Sequence, residues 1–228
     1  MCSDCYISNA ATKERIQIIR ITCIDRYKCG TVNSMPRKVK FNYDRAIHRA
    51  TQVFWKKGYS NASLRDLLGA MGIGEGSFYN TLKSKKRLYL ECLKHYNDTV
   101  LRRRLAALLS GASAKEGVRA FFKAVLDELD DPRTPRICLF EKSLSSEVLA
   151  ERDLKRYVVD GMAAFSDCFR QRLESARESG ELPANFDPEV VAQVLVAYLQ
   201  GLYQVIRVLQ DRTQVERQIE TLLRGLGL

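Results

Sequence analysis

Between Ala46 and Glu91 the chain spells out three short helices separated by glycine stops, and that punctuation leaves few folds open. Ala46, Ile47, Ala50, Val53 and Phe54 recur at steps of three and four, the pattern of one apolar helix face. Gly58 offers the left-handed backbone at which helices stop, and Lys56 and Lys57 stand where the negative dipole end favours cations. Ser63 is suited to cap a second helix, whose Leu64, Leu67, Leu68 and Met71 keep the i, i+3, i+4, i+7 spacing. Gly72 and Ile73 redirect the chain into a third short helix, with Phe78 and Leu82 four apart and facing inward. Ser84 then caps a longer fourth helix running to about Leu109.

Gly72, Gly74 and Gly76, followed by Ser77, also invite comparison with a loop that cradles nucleotide phosphates. Such loops follow a buried strand, whereas the stretch before Gly72 is the amphipathic SLRDLLGAM. The spacing fits neither G-x-G-x-x-G nor the longer P-loop with its Lys-Ser/Thr ending. Helix, glycine-containing turn and short helix instead match the helix-turn-helix plan, whose second helix enters the major groove of DNA.

Charge supports a polyanion partner. Residues 35–104 hold 16 Lys and Arg against 5 Asp and Glu, whereas residues 105–228 hold 16 against 19. A basic third joined to a mildly acidic remainder predicts a polyanion-binding head and a body with another task. The first 34 residues read as a disordered extension ahead of a natural start at Met35. They carry four of the seven cysteines, and although Cys2 and Cys5 have metal-ligand spacing, Cys23 and Cys29 lie too far apart for a standard zinc ribbon. No metal and no cofactor is expected. Charged Lys13, Glu14 and Arg15 interrupt any secretory signal, and no window approaches the run of roughly 18 apolar residues that a membrane span needs. The expected location is cytoplasmic, at the nucleoid. His48 and His95, the two histidines of the chain, sit in no metal-ligand pair or nucleophile motif, so an enzyme is not expected.

The stretch AIHRATQVFWKKGYSNASLRDLLGAMGIGEGSFYNTLKSKKRLYLE resembles the DNA-binding domain of the tetracycline-repressor (TetR) family. Gly58-Tyr59, Ala62-Ser63-Leu64, Met71-Gly72-Ile73, Gly76-Ser77-Phe78-Tyr79 and Lys83-Ser84-Lys85 carry the resemblance. It implies an all-α chain: a helix-turn-helix domain over residues 35–84, then a helical effector-binding and dimerisation domain over 85–228. It implies phosphate contacts from Ser77, Tyr79 and Lys85, close approach at Gly76, and contacts from Ser63 and Arg65 on the second helix. Base reading falls to Glu75, Asn80 and Thr81, with Arg65 a further candidate. Gly74 departs from the family, standing where a Ser or Asn usually caps the recognition helix.

Past residue 110, helices are predicted over 114–129, 136–149, 152–179, 187–210 and 212–226, punctuated by Pro132, Pro135, Gly180 and Pro183. Val191, Leu195, Tyr198, Leu202, Val205 and Leu209 alternate steps of four and three, as do Val215, Ile219, Leu222 and Leu226. These seams suit either the core of one chain or a four-helix dimer interface, and the resemblance favours a homodimer. Tyr96, Phe121, Phe122, Phe140, Met162, Phe165 and Phe169 are candidates for an apolar effector pocket, or ordinary core. Cys138, at a predicted helix start beside Arg136, is a candidate redox or electrophile sensor. The expected function is a sequence-specific transcriptional repressor released from a near-palindromic operator by a small-molecule or oxidant effector. The alternative is an architectural DNA-binding protein that senses nothing.

Overall fold

The structure is a computed structural model that describes residues 42–132, 134–209 and 211–228. The N-terminal extension and its cysteines lie outside the described residues. All regular elements among the described residues are helical: α1 Tyr43–Lys57, α2 Leu64–Met71, α3 Glu75–Leu82, α4 Lys85–Tyr96, α5 Arg102–Ser110, α6 Ala114–Leu129, α7 Leu139–Lys142, α8 Ser146–Ala150, α9 Arg152–Glu178, α10 Pro188–Leu209 and α11 Arg212–Gly225. A π-type turn over Asn97–Leu101 joins α4 to α5. The helices fall into two compact units. The described part of one comprises residues 42–101 and 137–162, and that of the other residues 102–136 and 163–228.

The helix starts are set by side chains that the sequence supplies. Asn42 caps α1 by accepting from Arg45 N at 3.0 Å, and Ser84 caps α4 through Arg87 N at 3.1 Å. Ser63 and Asp66 form a reciprocal capping box on α2, the arrangement that satisfies two otherwise unmatched amides at once. In the first unit Ala46, Ile47, Ala50 and Phe54 of α1 are buried with Leu67, Met71, Phe78, Leu82, Leu88 and Tyr89. Of the face that the three- and four-residue steps predicted, these four α1 residues are buried and Val53 is half-buried.

The predicted helix over 136–149 is broken in the structure into α7 and α8. Ser143 accounts for the break, because its hydroxyl donates to Leu139 O at 2.6 Å and pairs with Tyr89 Oη at 2.6 Å. A serine hydroxyl that takes up local backbone acceptors competes with helix continuation. The new start at Ser145 is extended, with φ −74° and ψ 151°.

In the second unit α5 and α6 pack closely: a side chain at Gly117 would land on the Leu108 carbonyl. Buried Arg104 bonds Glu128 at 2.7 and 2.9 Å and Tyr203 Oη at 2.6 Å, tying α5, α6 and α10. The C-terminal seam resolves residue by residue. Val191, Leu195, Leu202, Val215 and Ile219 are buried inside the protomer, so they are core. The face that α10 leaves outward is Val190, Gln193, Ala197, Gly201, Gln204 and Val208, with Val208 79% exposed. By length and mean hydropathy, 1.3, α10 alone among the described helices could cross a bilayer. The inward row of Val191, Leu195, Leu199, Leu202 and Ile206 is what a core helix shows.

Candidate nucleic-acid interface

Helix α3 divides its side chains cleanly. Phe78 and Leu82 are buried, while Glu75, Gly76, Ser77, Tyr79, Asn80 and Thr81 are exposed, so the sequence-predicted reading residues share one accessible surface. Tyr79 is 49% exposed, its ring edge-on to Phe78 at 5.2 Å with interplanar angle 81°, so the phenol is braced at its base. Ser63 and Arg65 are exposed at the start of α2. A helix of this kind is roughly 10–12 Å across and fits a major groove about 12 Å wide.

The turn between α2 and α3 rests on Gly72, whose φ of 70° and ψ of 37° are left-handed, and whose N–H donates to Leu68 O. Gly74 takes the N-cap position of α3 with no side-chain bond, as its lack of a side chain dictates. The end of α3 is less ordinary. Lys83 has φ 66° and ψ −40°, and Ser84 N donates to Leu82 O at 2.7 Å, which makes a γ-turn of the strained, positive-φ kind. That turn sets the angle at which α4 leaves the recognition helix.

Two cations support the loop between α1 and α2. Lys57 pairs with Asp66 at 2.8 Å, and this bond with those from Ser63 holds the Asp66 carboxyl down at about 2. Lys85 Nζ lies 4.9 Å over the Tyr59 ring and 3.4 Å from Ser60 O, and burial lowers its pKa. Lys85 is therefore half-buried and braced, at the N-terminus of α4, where free amides favour anions.

One feature was not visible in the sequence pattern. Residues 137–143 reach back onto α1 and α4 within the same unit. Trp55 Nε1 donates to Ile137 O at 2.6 Å, and Lys142 Nζ donates to Lys56 O at 2.7 Å and Trp55 O at 3.1 Å. The ammonium thus caps the C-terminus of α1 directly before the Gly58 turn. Trp55 is the single tryptophan of the chain, which is the one hint that this position is special.

The effector candidates divide between the two units. Tyr96, Cys138 and Phe140 meet in the first unit, with Tyr96 Oη 3.6 Å from Cys138 Sγ and the Tyr96 and Phe140 rings 6.3 Å apart. Met162 belongs to the same unit and is half-buried. Phe122, Phe165 and Phe169 surround Phe121 in the second unit, at ring separations of 5.5, 5.8 and 4.8 Å. Cys138 does precede a helix, but α7 is only four residues long, and Arg136 donates instead to Ile206 O at 3.4 Å. The expectation of a full helix dipole and an arginine acting on this thiol is corrected accordingly. Cys92 and Cys168 are buried, and burial pushes the Cys92 thiol up to about 12.

An exposed polar row on a glycine-hinged second helix, flanked by braced cations, defines a helix-turn-helix DNA-binding protein. Residues 46–92 match the family described as bacterial regulatory proteins, tetR family, and residues 114–222 match the tetracyclin repressor-like C-terminal domain. A cysteine-substituted form of the TetR family transcriptional regulator CifR, solved with 26-bp operator DNA, is 31% identical with TM-score 0.75, covering 82% of this chain and 98% of that one. An uncharacterized HTH-type transcriptional regulator of Bacillus subtilis, YezE, is 28% identical over 84% of this chain and 100% of its own length. The HTH-type transcriptional repressor NemR of Escherichia coli is 28% identical over 66% and 76%. The chain belongs to the TetR family and is a DNA-binding transcriptional regulator. Regulators of this family are generally non-enzymatic DNA-binding proteins.

Proposed function

We propose that this protein is a homodimeric repressor that releases a near-palindromic operator when an effector reaches the helical body. The observation that carries the reading is the α3 surface, where every predicted reading residue is exposed and every apolar one buried. Ser77, Tyr79 and Lys85 hold phosphates, Gly76 permits close approach, and Glu75, Asn80, Thr81 and Arg65 face the bases with Ser63 at the groove edge. Dimerisation uses α10 and α11, with Val190, Gln193, Ala197, Gly201, Gln204 and Val208 as the face of α10 toward the partner. Two heads then address half-sites one helical turn or a multiple apart. The protein acts in the cytoplasm, at the nucleoid.

Two features support effector sensing over a purely architectural role. The Tyr198 hydroxyl is buried and has no hydrogen-bond partner among the described residues, and its ring lies 5.8 Å from the Phe122 ring, so it can serve as a polar anchor for a mostly apolar ligand. Cys138 is the half-exposed thiol among the described cysteines, in the segment that caps α1, which favours an oxidant or electrophile as a second effector class.

Random-pool binding selection with the purified protein, repeated with hydrogen peroxide and with Cys138→Ser, tests the reading. A palindromic motif whose binding falls with oxidant in the parent supports it. A pool with no palindromic motif sinks the specific-regulator reading, and oxidant loss that persists in Cys138→Ser removes Cys138 from it.

A further inference from the structure

The chain has two histidines, 47 residues apart in sequence, and the fold brings their ring nitrogens together. His48 Nδ1 on α1 and His95 Nε2 on α4 are 3.1 Å apart, with the rings at 78°. The ring centroids are 5.3 Å apart, close to the nitrogen gap plus the two ring radii. Each imidazole therefore aims its nitrogen straight at the other, the geometry of an N–H···N hydrogen bond. A chelated ion would need both nitrogens turned toward a point off that line.

We propose that His48 and His95 form a proton-sensitive latch between α1 and α4 that weakens DNA binding under acid conditions. In the bonded arrangement one ring N–H donates to the nitrogen of the other ring. One added proton still fits, as a charge-assisted N–H···N bond. A second proton places two cations 3.1 Å apart and removes the acceptor, so the bond is replaced by repulsion.

The surroundings fix the sign. Burial and the neighbouring His48 lower the His95 pKa from the ordinary 6.5, and Asp44 on α1 and Asp98 in the π-type turn act the other way more weakly. Glu91, one turn before His95, is held by Lys94 at 3.0 Å; α2, α3 and α7 also pack on α1 or α4, and the charges named as acting on His95 are those of His48, Asp44 and Asp98. A base with a depressed folded pKa supplies stability that is present above 6.5 and is lost as pH falls through the depressed value. The latch opens on the acid side of 6.5. Because α1 backs α2 and α4 carries Ser84 and Lys85, its opening loosens the frame of the recognition helix.

Operator affinity and histidine NMR titrations of full-length protein, at fixed ionic strength from pH 7.5 to 5.5, test this proposal. The parent should lose affinity below 6.5 relative to His48→Gln, by at most about tenfold per pH unit, the ceiling for one proton. Its two imidazole resonances, unambiguous in a two-histidine chain, should titrate more than about one pH unit apart. Coincident affinity profiles for parent and His48→Gln, or superimposed imidazole titrations, overturn the latch. So does a change in operator affinity with zinc or nickel at neutral pH that His48→Gln abolishes, since the pair would then be an ion site. If His48→Gln misfolds, the parent titrations alone decide.

Discussion

Lys142→Met isolates the contact that sequence patterning did not show. Methionine keeps the unbranched stem beside Gly58, where Lys142 Cε lies 3.3 Å from the position a Cβ would occupy, and deletes only the ammonium. The Trp55 carbonyl, part-buried, then loses a charged donor at 3.1 Å, and the exposed Lys56 carbonyl loses one at 2.7 Å. The part-buried bond is worth about 1.5 kcal/mol, the low end for charged donors, and the exposed one about 0.5 kcal/mol, as a dipole interaction. The total of about 2 kcal/mol corresponds to roughly 30-fold in an equilibrium constant. If the cap holds α1 in its DNA-binding orientation, operator affinity measured by fluorescence anisotropy should fall by up to that factor. Trp55, the sole tryptophan and 4% exposed, should report the loosening as red-shifted emission. Were the cost confined to folding, the melting temperature would drop by about 4–8 °C with affinity preserved. Affinity within about twofold of the parent, with unshifted emission, refutes the reasoning.

Other expectations follow from the same geometry. Lys85→Ala should weaken binding to all DNA sequences and reduce the slope of log affinity against log salt by about one, whereas Lys85→Arg should preserve the slope. Tyr79→Phe should weaken binding without altering sequence preference, checked on matched and scrambled operators. Val208→Asp places a carboxylate on the outward face of α10, and sedimentation should show monomers that bind operator poorly; a persistent dimer would exclude that face. Asp66, held at about 2 by Lys57 and Ser63, supplies stability that is present above 3.8 and is lost as pH falls toward about 2. Circular dichroism should show an acid loss of head structure that is reduced in Asp66→Asn.

Much of this fold was legible because short-range chemistry and long-range packing agree. Ser63 and Ser84 cap where they stand, Gly72 turns where a left-handed residue is needed, and α6 spans Ala114–Leu129 as its periodicity implied. The outward side of α3 was legible too, since the apolar pair Phe78 and Leu82 is buried and fixes which side faces outward. What escaped depends on partners distant in the chain. Ser143, where the predicted helix breaks, also pairs with the hydroxyl of Tyr89, 54 residues earlier. Lys142 caps a helix 86 residues upstream, and no local pattern announces such a pairing. The α10 row Val191, Leu195 and Leu202 could be read as core or as seam, because a periodic apolar row looks the same whether its own protomer or another covers it; its burial inside the protomer decides for core.

The head unit is discontinuous: residues 42–101 are completed by residues 137–162. Yet 137–162 lies wholly inside the stretch that matches the C-terminal family domain, residues 114–222. The natural cut in the sequence and the natural cut in space therefore differ. A chimera that joins a foreign DNA reader to this body between residues 92 and 114 would import a first helix without its own Ile137 carbonyl and Lys142 cap. Recombination that exchanges readers must carry the 137–162 segment with them, or select anew for a segment that fits.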